Sequence, residues 1–216
     1  MNRMSPLSPA PPPKPSAGAG FTLLELLLVL ALAGVLILLG IPAMLNALNR
    51  AKLAGFAQQT ATAMQGARLE AIKRFTVARV EVHFADNSVL AYVDTDKDGV
   101  FTPGTDFLVF QAKAPPGVVL SGPGGTPADA LKYAYTGFGA IAGGAVALFN
   151  SDGSVSTPGG FRFRDQRGNI MEAFVNPQAS ARIAVRKFAG DVAAANGKDD
   201  VNQYFEADES PGWTWN

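Results

Sequence analysis

The sequence contains no cysteine and a single histidine, His83. Disulfide bonds, thiol catalysis and cysteine-ligated metals are therefore excluded, and neither a histidine-based triad nor a histidine-rich metal site is expected. Nucleophile-elbow, phosphate-loop, dinucleotide-binding and zinc-binding patterns are also missing. Eighteen basic residues balance eighteen acidic ones, so the overall charge does not indicate a polyanion-binding protein. We predict that the chain is not an enzyme and has no cofactor, apart from a candidate calcium loop.

Charge is also nearly absent from a long segment near the amino terminus. Residues 1–20 are rich in proline, with Arg3 and Lys14 as their only charges, and such a segment does not form a stable helix. Between residues 21 and 49 the only charged residue is Glu25. About 20 apolar residues in a helix cross the hydrocarbon layer, so residues 21–49 predict a transmembrane helix. A secretory signal peptide fits less well, because its apolar region has only about 7–15 residues.

Glu25 is an unusual residue for such a helix. A carboxylate inside an apolar span costs about 2.5–3.5 kcal/mol even on the lenient insertion scale, so it needs a partner. Cleavage of the chain before Phe21 would create a free amine four residues before Glu25. The amino terminus of a neighbouring subunit would then be a suitable counter-ion.

Residues 20–25, G-F-T-L-L-E, with the apolar run that follows them, resemble the class III signal of type IV prepilins and type II secretion pseudopilins. The resemblance implies that a membrane prepilin peptidase cuts after Gly20 and methylates the new terminus at Phe21. It also implies that Glu25 guides the docking of subunits into a filament.

The same resemblance gives the orientation of the chain. Arg3 and Lys14 before the span are matched by Arg50 and Lys52 after it, so the distribution of positive charge does not decide the topology. The family implies a single-pass protein of the bacterial inner membrane that is incorporated into a pilus or pseudopilus. Its globular domain would lie in the periplasm or outside the cell.

Residues 50–74 continue the helical pattern to about Arg74, with one apolar face that we expect to pack on a sheet. That face consists of Leu53, Phe56, Ala57, Thr60, Met64, Ala67 and Ala71. Beyond it, eight short alternating or β-branched segments predict strands. They are VARVEVHF, VLAYVD, DFLVFQA, VVLSG, AVALFN, GFRFRD, NIMEAFV and ARIAVRKF. We therefore predict an α+β fold, with a long amino-terminal helix packed on an antiparallel sheet or small sandwich.

This order of elements is similar to that of the GspH/FimT minor pseudopilins. The similarity rests on the helix ending in EAIKR, the strands around VDTDKDG and an F-N-x-x-G turn before GFRFRD. The predicted organisation is a cleaved leader (1–20), a transmembrane and filament-core helix (21–49), its amphipathic continuation (50–74), a β-rich domain (75–190) and an acidic tail (191–216). The two tryptophans at 213 and 215 would either close a strand on the domain or dock a partner.

One acidic loop has the pattern of a calcium site. Asp94, Asp96 and Asp98 alternate and are followed by a glycine, as in the first half of a calcium loop. The usual glutamate at the twelfth position is missing, although Asp106 lies one residue further and can join the group. A plain hairpin turn explains the same residues, because aspartate and glycine favour turns.

Residues 161–190 contain six basic and two acidic residues. Alternation along two strands would place Arg162 and Arg164, and likewise Arg182 and Arg186, on shared faces. Neighbouring strands would then present a patch able to neutralise the phosphates of DNA. A solvated sheet face, or pairing with the acidic tail of six acidic residues and one basic residue, explains the same pattern.

The predicted function is that of a structural subunit, a minor pilin or pseudopilin. It would serve a type IV pilus, a competence pseudopilus or a type II secretion pseudopilus. Its partners would be other pilins or pseudopilins, the prepilin peptidase and the inner membrane. The alternative is a membrane-anchored DNA-binding module for DNA uptake, which would use the basic face.

Overall fold

The computed structural model describes residues 21–123 and 133–188, together with the backbone of 213–215. The predicted leader, including Gly20, lies outside the described residues, as does the acidic tail apart from that short backbone segment. The side chains of residues 39, 40, 42 and 43 are also outside the description. The chain divides into two compact units, Met1–Met44 and Leu45–Asn216.

Helix α1 (Leu23–Arg74) begins in the first unit. Thr22 caps it, because its Oγ1 accepts a hydrogen bond from the backbone N–H of Glu25 at 3.2 Å and its carbonyl accepts one from Leu26 at 3.2 Å. Every large apolar side chain from Leu23 to Leu38 is at least 54% exposed. Within the part of the chain that the structure describes, no helix meets the combined length and hydropathy requirement for crossing a membrane.

The second unit contains the rest of α1, whose predicted apolar face is buried. All seven residues of that face are at most 2% exposed. The helix ends because Phe75 adopts a left-handed conformation (φ 51°). The N–H of Thr76 then donates to the carbonyl of Ala71 at 3.2 Å and that of Phe75 to Ile72 at 3.3 Å, which together form a Schellman cap.

Eleven strands follow in the described residues. In chain order they are β1 (Val77–His83), β2 (Ser88–Asp94), β3 (Phe107–Lys113), β4 (Val118–Leu120), β5 (Tyr135–Thr136), β6 (Gly139–Ile141), β7 (Gly144–Phe149), β8 (Gly159–Asp165), β9 (Ile170–Val175), β10 (Ile183–Phe188) and β11 (Trp213–Trp215). All eight predicted segments form strands. Of the other three, the pattern missed β5 and β6, which have only two or three residues, and β11 contains the two tryptophans, for which closing a strand was one of two alternatives.

The strands form two antiparallel sheets. The first has the order β3-β2-β1-β7-β6 and the second β11-β10-β9-β8-β4, with β5 paired to β8. Both sheets and the buried face of α1 contribute to one hydrophobic core. Within it, the ring of Phe56 on α1 meets that of Phe163 on β8 edge to face, with centroids 5.0 Å apart. The prediction of an α+β fold, with a helix packed on antiparallel sheets, is confirmed.

Candidate functional site

The first candidate site is the amino-terminal end of α1. Phe21 and Glu25 are both exposed, and Glu25 lies in the first turn of the helix, where a carboxylate also interacts favourably with the helix dipole. The third residue of the predicted processing site, Gly20, lies outside the described residues. The roles of these three residues remain predictions of the sequence.

The second candidate site is the acidic loop between β2 and β3. Asp94 is the last residue of β2, and Asp106 directly precedes β3. One carboxylate oxygen from each of Asp94, Asp96 and Asp106 lies within 4.8 Å of the others. Asp98 is not part of this group; its Oδ1 instead accepts a hydrogen bond from the backbone N–H of Val100 at 2.7 Å. The structure therefore brings together three of the four predicted aspartates.

Backbone N–H groups hold the two buried carboxylates of this group in place. Asp106 accepts hydrogen bonds from Thr95 at 2.9 Å through Oδ1 and from Thr102 at 2.8 Å through Oδ2. Oδ2 of Asp94 accepts one from Gly99 at 3.1 Å. The other oxygen of Asp94, Oδ1, is buried and has no hydrogen-bond partner in the described structure. Local turn bonds thus account for Asp106 but leave one oxygen of Asp94 unsatisfied.

One cation lies beside this group. Nη1 of Arg79 on β1 is 3.9 Å from Oδ2 of Asp94, while its Nε donates to Oε1 of Glu81 at 3.0 Å. Partial burial lowers the pKa of Arg79, but the hydrogen bond to Glu81 and the nearby Tyr92, Glu81 and Asp94 raise it overall. Arg79 therefore stays charged and bonds mainly to Glu81.

The third candidate site, the arginine patch, differs from the prediction. Arg162 is completely buried and Arg186 is 3% exposed, so the expectation that both belong to an exposed surface is wrong. Arg164 is half-buried and Arg182 is exposed. The four arginines therefore do not form one surface for the phosphates of DNA.

The two buried arginines instead flank Glu172, which is also completely buried. Glu172 on β9 lies directly opposite Arg162 on β8 and Arg186 on β10 in the sheet register. Nε of Arg162 is 3.2 Å from Oε1 of Glu172, and Nε of Arg186 is 2.7 Å from Oε2. We call these three residues the buried triad. A single carboxylate thus accepts hydrogen bonds from guanidinium groups on both neighbouring strands.

Each arginine of the buried triad also makes a contact outside it. Nη1 of Arg162 donates to the carbonyl of Tyr133 at 3.1 Å, and the guanidinium of Arg186 lies 4.2 Å from the ring centroid of Phe174. Burial raises the pKa of the Glu172 carboxyl, and the charges and hydrogen bonds of the two arginines act against that rise. Burial lowers the pKa of Arg162, against the opposing effect of Glu172. The arrangement is that of a structural ion cluster inside the sheet.

Sequence reasoning missed Glu172 as a partner of these arginines. A signal was present, because this glutamate stands in the otherwise apolar segment NIMEAFV, between two strands that carry arginine. A charged residue in an apolar strand at the centre of a sheet needs an oppositely charged residue on a neighbouring strand. That rule would have paired Glu172 with Arg162 and Arg186.

Comparison with known proteins gives one family and one solved structure. The model of the family described as "Type II transport protein GspH" matches residues 57–187, more than half of the chain. The structure of the minor pseudopilin EpsH from the type 2 secretion system of Vibrio cholerae is similar at 14% identity and a TM-score of 0.45, over 62% of this chain and 95% of that one. No curated protein matches the sequence significantly. The match takes in strands β1 to β9 entirely and the buried face of α1 from Ala57 onward, and its extent shows that the chain belongs to the GspH family of type II transport proteins.

Proposed function

We propose that this protein is a minor pseudopilin of a type II secretion system, a structural subunit that assembles through its amino-terminal helix. The observation that carries the proposal is the GspH family match over residues 57–187. The prepilin-like segment at residues 20–25 lies outside that match and supports the same function independently.

The exposed apolar surface of α1 supports assembly through the helix. Twelve large apolar side chains between Leu23 and Leu38 are exposed, a larger apolar area than soluble monomers usually leave in water. Burying each of them contributes about 1.5–3 kcal/mol. Lipid would cover this surface before assembly, and the helices of neighbouring subunits would cover it in the filament. The helix is accordingly proposed as a single inner-membrane anchor, with the β-rich unit in the periplasm.

The proposed assembly mechanism uses Gly20, Phe21 and Glu25. The prepilin peptidase removes the leader after Gly20, and the amine of Phe21 becomes the methylated terminus. Glu25 then offers its carboxylate to the amino terminus of the neighbouring subunit, which offsets the cost of placing Glu25 in an apolar environment. No step of this mechanism requires catalysis by the chain itself.

Intact-mass spectrometry of the full chain purified from membranes tests the processing. We expect a mature chain that starts at Phe21 and carries one methyl group on its terminal amine. The matched control is a Gly20→Val variant, which should keep residues 1–20 because it replaces the glycine after which the resemblance to prepilins implies cleavage. An intact Met1 terminus in the unaltered chain, or a start beyond residue 49, would rule out the proposed anchor.

A further inference from the structure

The group formed by Asp94, Asp96 and Asp106 lies outside the helix that the proposed function uses. It sits where β2 ends and β3 begins, and the two strands pair up to Val93 and Phe107, directly beside two of the carboxylates. We propose that these three aspartates form a binding site for one calcium ion at the β2–β3 turn.

The spacing of the carboxylates fits calcium. Calcium binds six to eight oxygen atoms at about 2.3–2.6 Å, so two oxygens on opposite sides of the ion are about 4.6–5.2 Å apart. The three carboxylates already offer oxygens within 4.8 Å of one another. An ion among them therefore requires little movement of the chain, and loop carbonyls and water would supply the remaining ligands.

The unsatisfied oxygen of Asp94 points independently to a ligand. Asp94 is 3% exposed, and its buried Oδ1 has no hydrogen-bond partner among the residues that the structure describes. A buried carboxylate oxygen without a partner is costly, and the great majority of such atoms in folded proteins are paired. Arg79 does not satisfy it, because the nearer oxygen to that guanidinium is Oδ2, at 3.9 Å. A cation bound by both oxygens of the Asp94 carboxylate would supply the missing partner.

The local charge is also suitable for a divalent cation. Within residues 94–106, four carboxylates (Asp94, Asp96, Asp98 and Asp106) face one positive charge, Lys97, which leaves a net charge of 1 − 4 = −3. Arg79 does not reduce this charge, because its hydrogen bond goes to the carboxylate of Glu81. One calcium ion neutralises two of the three negative charges. Among the described strands β3 pairs with β2 alone and forms an edge of its sheet, so an ion at the loop that joins them would stabilise that edge.

Thermal unfolding of the full chain in detergent, with and without calcium, tests the proposal. We expect calcium at about ten times its dissociation constant to raise Tm by about 3–6 °C, with affinity in the range of about 0.1–1 mM that is typical of extracellular calcium modules. Isothermal titration should show one ion per chain. Magnesium should give a smaller rise, because it demands shorter and more regular coordination.

Two exposed aspartates of the same loop provide matched variants. Asp96→Ala removes a proposed ligand, whereas Asp98→Ala makes the same change at a residue outside the group. Each change also removes one local hydrogen bond that the aspartate now accepts, from the backbone N–H of Asp98 and of Val100 respectively, so the two variants are matched. We expect Asp96→Ala to abolish the calcium-dependent rise in Tm and Asp98→Ala to retain it. No rise in the unaltered chain, or an equal rise in Asp96→Ala, would overturn the proposal.

Discussion

Neutralising Glu172 is the most demanding test of the buried triad inside the β-rich unit. In the Glu172→Gln variant, Arg162 and Arg186 remain buried without the carboxylate that now accepts a hydrogen bond from each of them at 3.2 and 2.7 Å. Glutamine has nearly the same volume as glutamate, so the variant changes the charge without creating a cavity. The result therefore reports on electrostatics rather than on packing.

The expected loss of stability is large. Removing one member of a buried ion cluster costs about 3–5 kcal/mol, because the desolvated charges that remain lose their oppositely charged partner. For a folded unit of this size, each kcal/mol changes Tm by about 2–4 °C, so Glu172→Gln should lower Tm by about 6–20 °C. Replacing all three members by apolar residues, as in Arg162→Met, Glu172→Leu and Arg186→Met together, should recover much of that loss, since these three positions then carry no buried charge.

Urea and thermal denaturation of the full chain in detergent, followed by circular dichroism, measure both effects. The control is Lys113→Gln, which breaks an exposed ion pair with Asp86 at 3.4 Å and should change stability by at most about 1 kcal/mol. If Glu172→Gln were no more destabilising than Lys113→Gln, the carboxylate would not be buried between two guanidinium groups, and the description of the buried triad would be wrong.

The remaining prediction concerns the packed face of α1 and uses two adjacent residues. Phe56→Ala should destabilise the chain by about 3–5 kcal/mol, because Phe56 is buried and its ring packs on Phe163. Gly55→Ala should instead stabilise it by about 0.5–1 kcal/mol, because Gly55 is exposed within the helix and an added Cβ would meet no atom within 4 Å. Urea denaturation separates the two, and a loss of stability in both variants would contradict the assigned helix face.

The helix and most of the sheet could be predicted from the sequence because each has a simple periodicity. Apolar residues at three- and four-residue steps identified the buried face of α1, and alternation identified eight of the strands. The two short strands β5 and β6 carry too few residues for alternation to be recognised. Their pairing depends on contacts with β8 and β7, which the sequence pattern does not contain.

The prediction about the arginines shows where this reasoning ends. Alternation correctly put Arg162 on the face of β8 opposite to Phe161 and Phe163, but it does not tell whether the face with Arg162 is exposed. The face is covered, since Nη1 of Arg162 reaches the carbonyl of Tyr133, 29 residues away in the sequence. The acidic loop differs from its prediction for a related reason, since the membership of the group depends on the fold. Pairing of β2 with β3 brings Asp106 close to Asp94, whereas the carboxylate of Asp98 accepts a hydrogen bond from the backbone of Val100.

The central claim is that this chain is a subunit of a type II secretion pseudopilus. The most direct test measures protein secretion by cells that lack the chain. Deleting the gene should leave the substrates of the secretion system in the periplasm, and the unaltered chain should restore their release. A Glu25→Ala variant, which retains Gly20 and Phe21 and so should still be processed, should restore release poorly. Normal secretion in the deletion strain, accompanied by loss of twitching or of DNA uptake, would contradict the account and assign the chain to a different filament.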